Sequence, residues 1–250
     1  MCDIIQPINQ INQYMKYILL FVLGVTIFSC NNQRVLLLPE VEDTEIREVL
    51  DVSTAYIFYD ETQPDSTLFN RKNLIGTTNW LVNVDRRLTL KQAIPHIQYL
   101  QDKRRKASMH KNENAKNYFT CNDKSIENLG FIEFTDINYK NVDLKNDSLN
   151  LQMLEPSNEL YRKGFLEGAY ITLSLVLNKN KLIQHKDKSI SLIEYIKKIP
   201  KREFPIVAEG FSLDLYFDKS LSYQDYISIK SELKKIERED VIVSPFEFIY

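Results

Sequence analysis

The apolar and polar positions of the chain predict two strands that each lead into a capped amphipathic helix. Alternation over residues 80–85 (WLVNVD) and 211–218 (FSLDLYFD) is typical of half-buried strands. After a short turn, Thr89 and Ser222 stand where helix N-caps are expected. Apolar residues then recur at helical spacing, namely Leu90, Ala93, Ile94, Ile97 and Leu100 in the first stretch and Tyr223, Tyr226, Ile227, Ile229, Leu233 and Ile236 in the second.

The two stretches match each other at one constant separation along the chain. Asp85 corresponds to Asp218, and the same 133 residues separate the other matching pairs, which are Leu88 and Leu221, Thr89 and Ser222, Ile94 and Ile227, and Leu100 and Leu233. We therefore predict an α+β fold in which two similar strand–turn–helix units, at about 78–104 and 211–237, lie in one or two small mixed sheets. The alternative is coincidence, because capped amphipathic helices are common.

Weaker patterns occupy the rest of the chain. Further strands are predicted at 35–38, 53–59, 131–139 and 171–177, with a closing strand at 241–250 that Pro245 interrupts. Ser157 and Ser191 each cap a short predicted helix, and residues 60–76 are predicted to form a long loop. We divide this part of the chain into an α+β unit at 35–140 and a second unit at 141–250.

Residues 15–29 have the order of features that a secretory signal requires. Lys16 supplies a basic start, residues 17–28 are mostly apolar, and Ser29 precedes Cys30. The apolar run is shorter than the roughly 20 residues that span a bilayer, although an uncleaved anchor, an ordinary cleaved signal and a core helix remain as alternatives. Residues 1–14 hold no basic residue and are interpreted as a misplaced start, with Met15 as the initiator.

Residues 27–30 (IFSC) also resemble a bacterial lipobox. That resemblance implies a signal peptide at 15–29 and a mature chain that begins with lipid-modified Cys30. Asn31 after the cysteine favours the outer membrane, with the protein facing the periplasm. The tether at 30–34 is short, so the folded part is expected within about 15 Å of the lipid.

Charge and cysteine content narrow the class of protein further. The formal net charge of −2 argues against a nucleic-acid-binding protein, which would carry a basic excess. If Cys2 is lost with the leader and Cys30 carries lipid, Cys121 is left without a partner. We expect the thiol of Cys121 to be buried, since an exposed thiol is a liability in an oxidising envelope.

The second strand–turn–helix unit resembles a known family. Residues 213–218 (LDLYFD), followed by Leu221, Tyr223, Tyr226, Ile227, Glu232 and Leu233, are similar to the periplasmic domain of ExbD/TolR-type proteins. The resemblance covers residues 211–250 and, more weakly, 80–104. Domains of that family dock envelope partners for a membrane-embedded, proton-driven motor, and for this chain the resemblance implies at most a docking-type α+β fold. Residues 17–28 lack the acidic residue of that motor, and the glycine expected after the second helix is missing, so energy transduction is not implied.

The residues predict no catalytic, cofactor-binding or metal site. His96, His110 and His185 stand apart, no Gly-x-Ser-x-Gly string occurs, and the six glycines form no phosphate-binding loop. Asp85 and Asp218 are either a carboxylate pair or, as we favour, residues that hold turns. The basic run of Lys103, Arg104, Arg105 and Lys106 is a candidate contact with anionic lipid or peptidoglycan, the alternative being a solvated helix end.

These observations favour a non-enzymatic envelope lipoprotein with a structural or docking role and an envelope protein as partner. The first alternative is an envelope hydrolase or glycan-binding lipoprotein, which would show converging carboxylates or a stacked aromatic pair. The second is an accessory of an ExbD/TolR-type motor, which would keep its N-terminal anchor.

Overall fold

We describe a computed structural model of the chain that covers residues 34–106, 112–144, 169–185, 188–199, 208–236 and 238–250. Leu36–Tyr250 form one compact unit. The described elements are, in chain order, β1 (Glu40–Val41), β2 (Val52–Tyr59), β3 (Thr67–Asn70), β4 (Asn79–Val84), α1 (Leu90–Arg105), β5 (Asn117–Asp123), β6 (Asn128–Glu133), β7 (Asn138–Asn141), β8 (Ala169–Leu177), β9 (Leu182–His185), β10 (Lys188–Ser191), α2 (Leu192–Lys198), β11 (Ala208–Phe217), α3 (Tyr223–Lys234) and β12 (Val241–Ile249).

The strands form two mixed six-stranded sheets. The first has the order β1-β5-β4-β2-β3, and β6 also pairs with β5. Its strands β2, β4 and β5 are parallel to one another, whereas β3 and β6 are antiparallel to their neighbours. The second has the order β10-β9-β8-β11-β12-β7, in which β8, β11, β12 and β7 run parallel.

One topology occurs twice in this arrangement. The first repeat runs β2, β3, β4, α1, β5 and places them in the order β3-β2-β4-β5. The second runs β8, β9, β11, α3, β12 and has the corresponding order β9-β8-β11-β12, with β10 and α2 inserted after β9. The predicted α+β fold with two similar strand–turn–helix units in small mixed sheets is confirmed.

The two repeat helices form where the apolar pattern predicted them. Every stripe residue predicted for α1 is buried, and so are those predicted for α3 up to Leu233. They join one hydrophobic core with inward-facing strand residues, among them Val82, Phe119, Leu213 and Leu215. Burial of this much apolar surface supplies the main free energy that holds the repeats together.

Four sequence predictions differ from the observed elements. Residues 131–139 are not one strand, because a turn in which Ile137 N–H donates to the Phe134 carbonyl (3.2 Å) separates β6 from β7. The predicted loop at 60–76 contains β3, and residues 35–38 are not part of a strand. The closing strand is continuous through Pro245, with a register shift against β11 that accommodates the missing N–H. The helix predicted after Ser157 lies outside the described residues.

Candidate functional site

The two repeats meet at the N-termini of their helices. Thr89 and Ser222 form an antiparallel bridge, flanked by two reciprocal hydrogen bonds. Leu90 N–H donates to the Leu221 carbonyl (2.9 Å), and Tyr223 N–H donates to the Leu88 carbonyl (2.7 Å). The next pair outward continues the pattern, since the Lys91 and Gln224 amides donate to the Lys219 and Arg86 carbonyls, respectively. In each pair of hydrogen bonds, the donor of one lies 133 residues from the donor of the other, and the acceptors are related in the same way. The contact therefore has approximate two-fold symmetry.

Asp85 and Asp218 hold the turns on either side of this contact. The Asp85 carboxylate accepts from Arg87 N–H (3.0 Å), and the Asp218 carboxylate accepts from the matching Ser220 N–H (2.8 Å). Both are Asx turns, in which a short acidic side chain caps its own backbone two residues on. Their use in these turns accounts for the matching aspartates without a catalytic pair.

The surroundings of the two aspartates differ. Asp85 is fully buried and also accepts from the Arg87 guanidinium through both oxygens (2.9 and 2.7 Å) and from Leu37 N–H (3.2 Å). Burial alone would raise the pKa of Asp85, but the hydrogen bonds from Arg87 and Leu37 outweigh it and hold the pKa below its usual range. Asp85 is therefore a buried anion that ties residue 37 to the first turn.

Residues 36–41, which we call the strap, lie where β4 and β5 cease to pair. Those two strands are paired only from Trp80 to Val82. Beyond that point Arg86 N–H donates to the Leu37 carbonyl (2.8 Å), and Asn122 N–H donates to the Pro39 carbonyl (2.8 Å). The strap thus bonds to the end of each strand.

The strap is also bonded to the second repeat. The Gln224 side chain at the start of α3 accepts from Glu40 N–H (2.9 Å) and donates to the Glu40 carbonyl (2.8 Å). The Glu40 carboxylate meanwhile pairs with Arg86 (2.5 Å) and Lys124 (2.7 Å). Gln224 was missed from the sequence, because a glutamine in a first helical turn carries no local signal of a partner so distant along the chain.

An aromatic row crosses the face of the second sheet that is opposite to α3. Val176, Tyr216, Phe248 and Lys140 are aligned across β8, β11, β12 and β7. The rings of Tyr216 and Phe248 are stacked at 4.4 Å, and the Lys140 ammonium lies 4.1 Å from the centre of the Phe246 ring. Phe246 is 40% exposed and Ile242, on the same strand, is 42% exposed. The apolar side chains that β12 presents to solvent are therefore Phe246, Ile242 and the half-buried Phe248, whereas Tyr216 is buried.

The opposite face of β12 holds a buried polar network. Glu247 is fully buried and pairs with Lys230 of α3. Tyr226 donates to the second Glu247 oxygen (2.7 Å), and the Tyr226 and Tyr139 hydroxyls are 2.9 Å apart. One signal of this network was present in the sequence, because Glu247 stands between outward-facing Phe246 and Phe248, at an inward position of an alternating strand.

The predicted basic contact at the end of α1 is divided between buried and exposed residues. Arg104 is buried, lies 4.0 Å from the centre of the Trp80 ring, and donates to Asn117 (2.8 Å). Burial lowers the pKa of Arg104 to about 10. Lys103, Arg105 and Lys106 are exposed. Only these three are placed to meet an anionic surface. Cys30, the predicted lipidation site, lies outside the described residues.

Cys121 and His96, the other candidate reactive residues, are packed into the fold. Cys121 is fully buried, and burial, with a smaller effect of the Asp123 charge, raises the pKa of its thiol to about 12. His96 lies 4.8 Å from the Phe69 ring, and burial lowers its pKa. In the described ranges, no three His, Cys, Asp or Glu side chains are grouped as a metal site would need. Among the helices that the structure describes, none is long and apolar enough to cross a membrane.

Comparison with known proteins adds no relative. No protein-family model matches the chain, and neither a curated protein nor a solved structure matches it. The resemblance of residues 211–250 to ExbD/TolR-type domains stays a prediction.

Proposed function

We propose that this protein is a bacterial envelope lipoprotein, tethered to a membrane through Cys30, with a structural or partner-docking role in the periplasm. The observation that carries the proposal is the strap. It begins six residues after Cys30 and is bonded to both repeats, through Arg86 in the first and Gln224 in the second. A force applied through the lipid would therefore be carried by both repeats and not by one loosely held chain end.

The geometry of the tether follows from chain length. Six extended residues reach about 20 Å at most, so the folded unit stays close to the membrane that holds the lipid. Outer-membrane attachment facing the periplasm is the location we propose, on the basis of Asn31. A protein held in this way meets its partners at one membrane surface.

The aromatic row is the surface we propose for docking. Tyrosine and phenylalanine supply large contact areas at small entropic cost, and such residues dominate the energetics of protein interfaces. Phe246 and Ile242 are exposed and Phe248 is half-buried, whereas Tyr216, which stacks on Phe248, is buried. We propose an envelope protein as the partner.

Intact-mass analysis of the detergent-extracted protein tests the tether. A chain that begins at Cys30 and carries acyl groups supports the proposal, and Cys30→Ala should then remain unacylated and leave the membrane fraction. An unprocessed chain beginning at Met1 or Met15 would overturn the lipoprotein assignment. It would return the motor-accessory alternative to first place.

Site-specific photo-crosslinking in cells tests the docking role. A photo-reactive residue at position 246 should give one defined crosslinked protein that a second copy of this chain does not account for. The matched control is position 129, because Leu129 is an apolar residue of similar exposure (42%) on β6 of the first sheet. Equal crosslinking from both positions, or none from position 246, would contradict docking at the aromatic row.

A glycan ligand is the second candidate, favoured by the exposed ring of Phe246 and the half-buried ring of Phe248 on the same face of β12. Aromatic faces bind sugar rings through apolar contact, and Phe246 extends that surface. Binding of peptidoglycan fragments that Phe246→Ala weakens, together with no crosslinked protein from position 246, would favour this function over docking of a protein.

A further inference from the structure

A second surface lies around the two turns that meet at the symmetric contact. We call it the turn surface and define it by Arg86, Arg87, Lys91 and Lys219. Lys91 and Lys219 are adjacent, because Lys91 N–H donates to the Lys219 carbonyl (2.8 Å). Arg86 occupies the position that matches Lys219 at the other end of the two-fold contact, where its carbonyl accepts from Gln224 N–H (3.3 Å). The two-fold contact thus brings together basic residues that are far apart in the sequence.

Two of the four basic side chains on this surface form ion pairs, and two do not. Arg86 pairs with Glu40, and Arg87 pairs with buried Asp85. Lys91 and Lys219 are exposed, and within the described part of the chain neither forms an ion pair. The nearby carboxylate of Asp218 accepts hydrogen bonds from the Ser220 N–H and hydroxyl. Since the whole chain has a formal net charge of −2, the basic character here is local.

The chain enters the folded unit at this surface. The Leu37 carbonyl accepts from Arg86 N–H (2.8 Å), and residues 31–35 are all that separate the strap from Cys30. Lys103, Arg105 and Lys106 are at the far end of α1, which is about 24 Å long for its 16 residues. A lipid at Cys30 therefore favours contact of the membrane with the turn surface over contact with the end of α1.

We infer that the turn surface rests on anionic lipid headgroups of the membrane that holds the tether, with Lys91 and Lys219 as the contacting cations. This inference rests on the proposed function, because the tether positions the surface. Each lysine near an anionic bilayer strengthens contact by about fivefold, and the effect weakens as salt increases. The occupant is a lipid phosphate, since the short tether keeps the bilayer within reach and the free charges are of opposite sign.

Fluorescence transfer from protein to lipid headgroups tests the inference on the full chain. The purified protein is reconstituted into phosphatidylcholine vesicles with or without phosphatidylglycerol, and acceptor dyes are placed on the headgroups. A donor dye is attached at Ser220→Cys or, as the matched control, at Lys106→Cys. In the acylated chain the dye reaches no native thiol, because Cys2 is removed with the leader, Cys30 carries the lipid and Cys121 is fully buried.

We expect higher transfer from position 220 than from position 106, and a further increase when phosphatidylglycerol is present. The charge reversals Lys91→Glu and Lys219→Glu together should abolish the increase, whereas Lys103→Glu with Lys106→Glu should not. Both variants change exposed side chains only, and equal melting temperatures would show that they fold. Equal transfer from positions 220 and 106 would overturn the inference. So would an increase with phosphatidylglycerol that persists in the variant with Lys91→Glu and Lys219→Glu.

The mass of the same preparation separates this inference from the proposed function. An acylated chain without preferential transfer from position 220 overturns the turn-surface contact alone. An unacylated chain overturns the lipid tether. In that case sedimentation of the chain with phosphatidylglycerol vesicles still tests the surface, and binding that Lys91→Glu and Lys219→Glu leave unchanged would refute it.

Discussion

Thr89 and Ser222 occupy matching positions in the two repeats, and the structure brings them into direct backbone contact. Each is the residue before its helix, so α1 and α3 begin at one shared point. The hydrogen bonds between the flanking backbone groups satisfy amides that the first turn of a helix leaves without intrahelical partners. The contact therefore completes both helix starts and joins the repeats.

Ser222→Ala tests the contribution of the second cap. The Ser222 hydroxyl accepts from Asp225 N–H (3.1 Å) and donates to its carboxylate (2.7 Å). Loss of such a cap lowers the free energy of unfolding by about 1 kcal/mol, which urea denaturation would measure. Glu232→Ala, at an exposed position of the same helix, is the control and should change stability by less than about 0.5 kcal/mol. Equal losses of unfolding free energy from Ser222→Ala and from the control would show that the Ser222 cap does not stabilise the helix.

The buried pair of Lys230 and Glu247 should show strong coupling. Lys230→Met leaves the Glu247 carboxylate buried without its cation, and we expect a loss of about 3–5 kcal/mol in unfolding free energy. Adding Glu247→Gln removes the charge but keeps an acceptor for Tyr226, so the double variant should regain about 2 kcal/mol. Denaturant unfolding of both singles and the double measures this coupling.

The matched control for Lys230→Met is Lys234→Met, because Lys234 is exposed on the same helix. That change should alter stability by less than about 0.5 kcal/mol. If the losses from Lys230→Met and Glu247→Gln simply add in the double variant, the two side chains are not energetically coupled.

Asp85 should make folding stability depend on acidity. Because its pKa in the folded protein lies below the ordinary 3.8, the charged form stabilises the fold above about pH 4, and that contribution is lost as the pH falls through the folded value. Asp85→Asn presents an amide N–H₂ to Arg87 and Leu37, and we expect a loss of about 2–3 kcal/mol at pH 7. The gap to wild type should narrow below pH 4.

Asp218→Asn is the control for this titration, since an asparagine oxygen can still accept from Ser220 N–H in the same turn. Its stability should stay within about 0.5 kcal/mol of wild type at pH 7. Urea midpoints measured from pH 3 to pH 7 would check both variants. A constant difference between wild type and Asp85→Asn over this range would contradict the assigned role of the carboxylate.

Cys121 should be unreactive in the folded protein. A pKa of about 12 keeps the thiol protonated at neutral pH, and the sulfur is inaccessible to solvent. With a thiol-specific dye at pH 8, a chain carrying Cys2→Ser and Cys30→Ser should show no reaction when folded and should react once in urea. Ser220→Cys is the positive control, because Ser220 is exposed. Rapid labelling of Cys121 without denaturant would contradict its burial.

Gln224→Ala should release the strap locally. The Gln224 side chain bonds both backbone groups of Glu40, so its removal exposes the Glu40 amide to exchange with solvent. Hydrogen–deuterium exchange of the strap should become faster, while exchange in β11 stays unchanged. Gln98→Ala, which removes a bond to the Tyr139 carbonyl, should leave the strap protected and so distinguishes a local effect from general destabilisation.

Local patterns determined the repeats of this protein from the sequence alone. The alternation of strands 80–85 and 211–218, the caps at Thr89 and Ser222, and the apolar stripes behind them depend on neighbours within a few residues. For that reason the amino-acid sequence is enough to predict the two units and their matching aspartates. The burial of Cys121 was predicted on another ground, the expected oxidising envelope, and the structure shows the thiol buried. The resemblance of residues 27–30 to a lipobox is equally local, and both the lipobox and the lipid anchor remain predictions.

Only the tertiary structure decided which distant groups meet. β3 and β7 are short strands with weak patterns of their own, and they form because longer strands provide a partner edge. The insertion of the strap beside Asp85, its bonds to Gln224 and the pairing of Lys230 with Glu247 depend on packing between elements far apart in the sequence. Such contacts leave no periodic trace along the chain. The adjacency of Lys91 and Lys219 likewise exists only because two helix starts share one contact.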